Sequence, residues 1–131
     1  MRRGGWTSST ATASQRSRSS QAPQIYGRPA VLGTLVPDLR SRGIHVVEDA
    51  CQALAAFDGE RWCGSIGDEA CFSFGRTKPL AGAGEGGAVV TDRPEIAHRL
   101  HALNRHGRLD GEHVLSGINL RMHPVEEALW P

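Results

Sequence analysis

Lys78 is the sole lysine of a chain that carries fourteen arginines, and it closes the stretch C-F-S-F-G-R-T-K just before the glycine-rich run A-G-A-G-E-G-G. Arginine replaces lysine as a surface cation, but its guanidinium stays protonated and forms no Schiff base, so a lone lysine here points to covalent amine chemistry. Asp49, in the run Glu48-Asp49-Ala50-Cys51-Gln52, lies upstream of it and supplies a carboxylate. An amine nucleophile and a carboxylate are the two groups needed to anchor a carbonyl cofactor and steady the charge on its ring nitrogen. Ser73, at the end of an apolar run, adds a hydroxyl suited to a phosphate, with backbone N–H groups nearby.

Strands and helices must bring these residues together. Leu35 to Arg42 reads as a short helix with Thr34 as cap, Pro37 in its first turn and Gly43 just past its end. Ile44 to Val47, Ala70 to Phe74 and Ala88 to Thr91 read as strands. After the third, Asp92 as N-cap and Glu95 at N3, with Ile96, Leu100 and Leu103 on one face, predict a helix that Gly107 stops. Apolar strands separated by helices and glycine turns predict an α/β fold with a largely buried sheet. Glu48 and Asp49 follow the first strand directly, and open α/β sheets bind ligands outside the carboxyl ends of their strands. That places Asp49 against a ligand.

Together these residues suit pyridoxal phosphate. An opposite charge a few ångströms away shifts a pKa by roughly 1 to 3 units, so Asp49 would keep the pyridine nitrogen protonated. Lys78 would carry the cofactor as an imine, be released by an incoming amine, and then move a proton at the substrate carbon.

Composition sets the wider frame. With 131 residues and a net charge of +1, the chain has room for one domain, and its overall charge favours neither nucleic acid nor membrane as partner. No apolar run approaches the roughly twenty residues that span a bilayer. Cys51, Cys63 and Cys71 are odd in number and form no C-x-x-C pair, which suits reduced thiols and a cytoplasmic location. Residues 1–24 are rich in Ser, Thr, Arg and Gln, with Trp6 as the single large apolar side chain, and are expected to form a disordered tail ahead of a domain at 25–131.

Other motifs carry less. Gly82, Gly84 and Gly87 satisfy G-x-G-x-x-G literally, but the run precedes a strand instead of joining a strand to a helix, and the lysine precedes the glycines, unlike a phosphate-binding P-loop. The run is expected to let backbone pass close to a cofactor. His98, His101 and His106 share one region without a cysteine pair at zinc spacing, so no metal is expected. Trp62, Phe72 and Phe74 read as core, and Cys51 and Cys71 as small buried residues.

Four stretches carry a family resemblance: E-D-A-C-Q-A at 48–53, G-S-I-G-D-E-A-C-F-S-F at 64–74, T-K-P-L-A-G-A-G-E-G-G-A-V-V-T at 77–91 and G-I-N-L-R-M at 117–122. They resemble the DegT/DnrJ/EryC1/StrS aminotransferases, fold-type I pyridoxal-phosphate enzymes that mostly aminate keto sugars or cyclitols. The resemblance runs from Ile25 to Leu129. It implies Asp49 as the partner of the pyridine nitrogen, Gln52 near the cofactor hydroxyl, Ser73 at the phosphate and Lys78 as the covalent anchor. It implies that Asn119 reaches the phosphate of a neighbouring subunit in a homodimer. It also implies glutamate or glutamine as amino donor. The upstream glycine-threonine loop and stacking aromatic of the family, and its smaller C-terminal domain, have no counterpart here. The chain therefore reads as the middle of the large domain, and a non-catalytic remnant that binds cofactor weakly or associates with a full-length relative is the alternative.

Overall fold

The computed structural model describes residues 18–128. Its elements in chain order are β1 (Arg18–Pro23), α1 (Leu35–Ser41), β2 (Ile44–Asp49), β3 (Glu69–Ser73), β4 (Gly87–Val90), α2 (Pro94–Asn104), β5 (Arg108–Leu109), β6 (Glu112–His113) and α3 (Pro124–Ala128). The first four strands form one sheet in the order β1-β2-β3-β4, and β5 pairs with β6 in a small hairpin. β1, β2 and β3 are parallel, with Pro23 opposite Asp49 and Asp49 opposite Cys71. β4 runs antiparallel to β3, with Gly87 opposite Ser73.

β1 corrects the sequence reading. The tail expected to be disordered through Gln24 contributes a strand at Arg18–Pro23, paired with β2 along its whole length. The strand is polar because it lies at the sheet edge, where backbone pairing, not apolar burial, holds it. Trp6 and the rest of residues 1–17 lie outside the described residues.

Alternation along the strands divides the sheet into two faces. Ala22 and Val46 point to the face covered by α1 and the loops, where Leu32, Val36, Val46 and Ile66 form a core with Ala22, Ala30 and Leu39 against it. Phe72 points the same way and packs on Ala50, Ala53 and Cys63. The opposite face carries Gln21, Asp49, Cys71 and Ser73.

Helix boundaries follow local chemistry. α1 begins after Thr34, whose side chain makes no capping hydrogen bond, and ends where Gly43 turns left-handed at φ 67°. α2 is capped by Arg93, not Asp92, because Pro94 has no N–H and takes the first helical position. The Arg93 N–H is held by Thr91 Oγ1 at 3.2 Å. Two further expectations shift: Trp62 is 58% exposed and tilts against Phe57 at a ring distance of 4.9 Å, and Cys63, not Cys51 or Cys71, is the buried cysteine. No helix among the described residues is long and apolar enough to cross a membrane.

Candidate active site

Parallel pairing brings the carboxyl ends of β1, β2 and β3 to one end of the sheet, so the loops that follow them emerge side by side. The first loop carries Tyr26, the second Gln52 and the third Lys78. Tyr26, Gln52, Thr77, Lys78 and Pro79 line one open cleft of about 330 Å³. Asp49 and Ser73 are the last residues of β2 and β3 and stand on the same face of the sheet. The strand runs through Glu48 and Asp49, where the sequence reading ended it at Val47, because both residues pair with β1 and β3.

Asp49 is prepared as an anion. Its Oδ2 accepts a hydrogen bond from Gln21 Nε2 at 3.1 Å, and its Oδ1 accepts one from the Cys51 N–H at 3.3 Å. The Cys51 thiol beside it is the largest influence holding the carboxyl below its usual range. Partial burial opposes this, while the Cys51 N–H, the Gln21 amide and the positive charge of Lys78 add to it. That thiol lies between two acceptors, since the Cys71 carbonyl is 3.7 Å from its sulfur. Burial, then the Asp49 carboxylate, pushes the Cys51 thiol up to about 11. It stays protonated near neutral pH and is no nucleophile there.

Lys78 is fixed by the backbone around it. Its N–H bonds the Gly75 carbonyl at 2.9 Å, and its loop is closed by Phe74 N–H to the Gly86 carbonyl and Gly82 N–H to the Phe74 carbonyl, each 2.8 Å. Gly87 must be glycine: a Cβ there would stand 2.6 Å from the Phe72 carbonyl oxygen. The glycine run thus serves to close the loop onto β3. Ser73 Oγ accepts the Gly75 N–H at 3.3 Å, which keeps the hydroxyl at the base of the same loop.

The first two loops are joined through Gln52. Its side-chain oxygen accepts the Tyr26 N–H at 3.3 Å, and its carbonyl accepts the Gly27 N–H at 2.9 Å. Asn119 has its contacts outside the loops that carry Gln52 and Lys78. It bridges to Arg105 beyond α2, and its Oδ1 accepts from the Arg121 N–H at 3.3 Å and Nε at 3.1 Å. The segment's approach to the Lys78 loop is through Met122, whose sulfur lies 3.1 Å from where a Cβ of Gly86 would be.

Sequence reasoning missed Glu48. It is fully buried, with Oε1 accepting the N–H groups of Ile66 at 2.7 Å and Gly67 at 2.6 Å, and Oε2 accepting that of Gly64 at 2.9 Å. Buried Gln24 donates its amide to Oε2 and accepts the Cys63 thiol at 2.7 Å. The signal was available: adjacent residues of a strand face opposite ways, so one of two neighbouring acids must point inward.

Residues 19–129 match the DegT/DnrJ/EryC1/StrS aminotransferase family. The chain belongs to that family. Within it, the chain is 38% identical over 115 residues to the dTDP-3-amino-3,4,6-trideoxy-alpha-D-glucose transaminase of Streptomyces venezuelae, across 87% of this chain and 30% of that protein. It is 35% identical over 106 residues to a UDP-N-acetyl-3-dehydro-alpha-D-glucosamine 3-aminotransferase of Acidithiobacillus ferrooxidans, across 80% of this chain and 29% of that protein. Among solved structures it resembles DesV of S. venezuelae, crystallised in complex with a ketimine intermediate, with TM-score 0.73 and 36% identity over 86% of this chain and 30% of that one. A DegT/DnrJ/EryC1/StrS aminotransferase from Brucella abortus superposes with TM-score 0.77 and 28% identity over 82% of this chain and 30% of that one. The chain spans about 30% of the length of the curated relatives it matches.

Proposed function

We propose that the chain carries the cofactor-binding core of a pyridoxal-phosphate-dependent aminotransferase acting on a keto sugar or cyclitol, with glutamate or glutamine as amino donor. The observation that carries this reading is the place of Asp49 at the carboxyl end of β2, next to the strand β3 whose following loop bears Lys78, with the lysine's charge among the lesser influences that lower the carboxyl. The donor set fits the cofactor: an ionised carboxylate, one amine in an open cleft, and a hydroxyl at the foot of the same loop. The relatives named above act on nucleotide-linked amino sugars, which supports the substrate class.

When bound, pyridoxal phosphate supplies an aldehyde that exchanges between amines and a ring that withdraws electrons from the substrate carbon. Lys78 Nζ is the amine that would hold the aldehyde, and as a free amine it would hold and return the proton at the substrate carbon. Asp49 holds a proton on the ring nitrogen, for which its lowered pKa suits it. Ser73 and the turn that follows it take the phosphate. Gln52, its oxygen engaged by the Tyr26 N–H, offers its amide N–H to the ring hydroxyl. Asn119, whose contacts within its own chain are with Arg105 and Arg121, would serve the site of a second copy in a homodimer.

Borohydride reduction of the chain with pyridoxal phosphate, followed by peptide mass spectrometry, tests this. The label is expected on Lys78 and absent from Lys78→Ala. A label elsewhere, or none in folded protein, refutes the reading.

A second reading, a chain that holds cofactor without turnover or pairs with a full-length relative, draws on the apolar groove between β4 and α2, lined by Val89, Leu100, Leu103 and Leu120. An amino donor that fails to bleach the imine band of the unreduced protein with pyridoxal phosphate, where a separate reduced sample carries the label on Lys78, would favour it.

A further inference from the structure

We infer that Tyr26 is a specificity-determining residue that receives the sugar ring of the acceptor at the mouth of the Lys78 cleft. This rests on the proposed aminotransferase reading and extends it to a residue with no role there. The Tyr26 side chain lines the cleft with Lys78, Gln52 and Thr77, yet its surface is 92% exposed. A tyrosine left in water gains nothing for the fold from its ring. It is also held in a costly conformation, at φ 56° and followed by Gly27 at φ 70°. A left-handed backbone is unfavourable for a residue with a side chain, and glycine at this position would avoid the strain.

The strain is maintained from the catalytic side. The Tyr26 N–H bonds the Gln52 side-chain oxygen at 3.3 Å, and the Gly27 N–H bonds the Gln52 carbonyl at 2.9 Å. The turn that presents the ring is therefore clamped to the loop that follows Asp49. Asp49 and Ser73 mark the inner part of the site, on the sheet itself, while Tyr26 stands at its solvent side. A compound bound in the cleft beside Lys78 therefore has this ring as one of its walls. A pyranose matches it chemically, with an apolar C–H face to lie on the aromatic surface and hydroxyls that meet the phenol, Thr77 and Gln52.

Tyr26 is the single tyrosine of the chain, which makes a direct test available. The full chain labelled with 3-fluorotyrosine gives one fluorine resonance. Titration with UDP-N-acetylglucosamine and with dTDP-glucose is expected to shift it, and saturation transfer should reach the sugar ring protons. Tyr26→Ala is expected to weaken nucleotide-sugar affinity roughly five- to tenfold, and Tyr26→Phe to keep it within about threefold. Circular dichroism of both variants should match the parent, since the ring packs on nothing. A resonance unmoved by either nucleotide sugar, or one moved by pyridoxal phosphate alone, overturns the inference. So does a Tyr26→Ala protein that binds nucleotide sugar as the parent does. Borohydride labelling of Lys78 is read separately, so failure of the cofactor reading is distinguished from failure of this one.

Discussion

Glu48 and Asp49 are neighbouring carboxylates with opposite duties, and replacing each by its amide separates them. In Glu48→Gln one of the two side-chain oxygens becomes an NH2 group facing donors. With the remaining oxygen kept on Ile66 and Gly67, the Gly64 N–H loses its acceptor. Gln24 must then turn its amide to accept, which takes its oxygen from the Cys63 thiol. An orphaned buried N–H costs about 1–3 kcal/mol, and converting charge-assisted hydrogen bonds to neutral ones removes about 1 kcal/mol each. Relief of the buried charge returns part of this, leaving a net loss of roughly 2–4 kcal/mol. Asp49 is only partly buried and its partners are at the surface, so Asp49→Asn should cost under about 1 kcal/mol. Urea unfolding of the full chain followed by circular dichroism measures both. With a slope of about 1–3 kcal/mol per molar, the Glu48→Gln midpoint should fall by on the order of 1–2 M while Asp49→Asn stays near the parent. Equal losses in the two variants, or a Glu48→Gln protein as stable as the parent, would refute the division of labour.

Three other outcomes are expected. Glu69 is raised by burial, and its Oε2 lacks a partner among the described residues, so its ionisation weakens the fold as pH rises from the unfolded to the folded pKa; Glu69→Gln should gain on the order of 1 kcal/mol at neutral pH and nothing at about pH 3, read by urea unfolding at both. Cys51, pushed up to about 11, should alkylate with iodoacetamide several times more slowly near neutral pH than in Asp49→Asn, where the neighbouring carboxylate is gone, as followed by peptide mass spectrometry. Asp49, lowered by its hydrogen bonds and Lys78, stays ionised until pH falls through that lowered value; pyridoxal phosphate retention that depends on this charge should therefore persist at pH values where a free aspartate is half protonated, and Asp49→Asn should lose that retention at neutral pH, as measured by absorbance after dialysis.

The parts of the fold visible in the sequence were those whose burial repeats with the period of their element. Ile44 to Val47 and Ala70 to Phe74 announce themselves as apolar runs, and Ile96, Leu100 and Leu103 mark α2 because only a helix brings them to one side. β1 was hidden because Arg-Ser-Ser-Gln-Ala-Pro has no apolar alternation, and its place is fixed by main-chain pairing with β2. In the candidate site, residue type and order singled out Asp49, Gln52, Ser73 and Lys78; the structure places Asp49 and Ser73 as the last residues of β2 and β3, and Gln52 and Lys78 on the loops that follow, lining one cleft. The hydrogen-bonded anchoring of Gly64, Ile66 and Gly67 by Glu48 was not, since a buried acid and an exposed one are the same letter until the pleat is known. Tyr26 was passed over because its meaning lies in a backbone angle and in the hydrogen bonds that it and Gly27 each make to the distant Gln52.

The antiparallel course of β4 has a mechanical consequence. The segment bearing Lys78 departs from one strand and returns along the immediate neighbour, with both feet secured by the Phe74 and Gly86 pairing. With its ends adjacent and fastened, the base of this segment can open only by breaking the Phe74 to Gly86 hydrogen bond. The position of the Lys78 backbone is thus set by contacts local to the β3 and β4 pair.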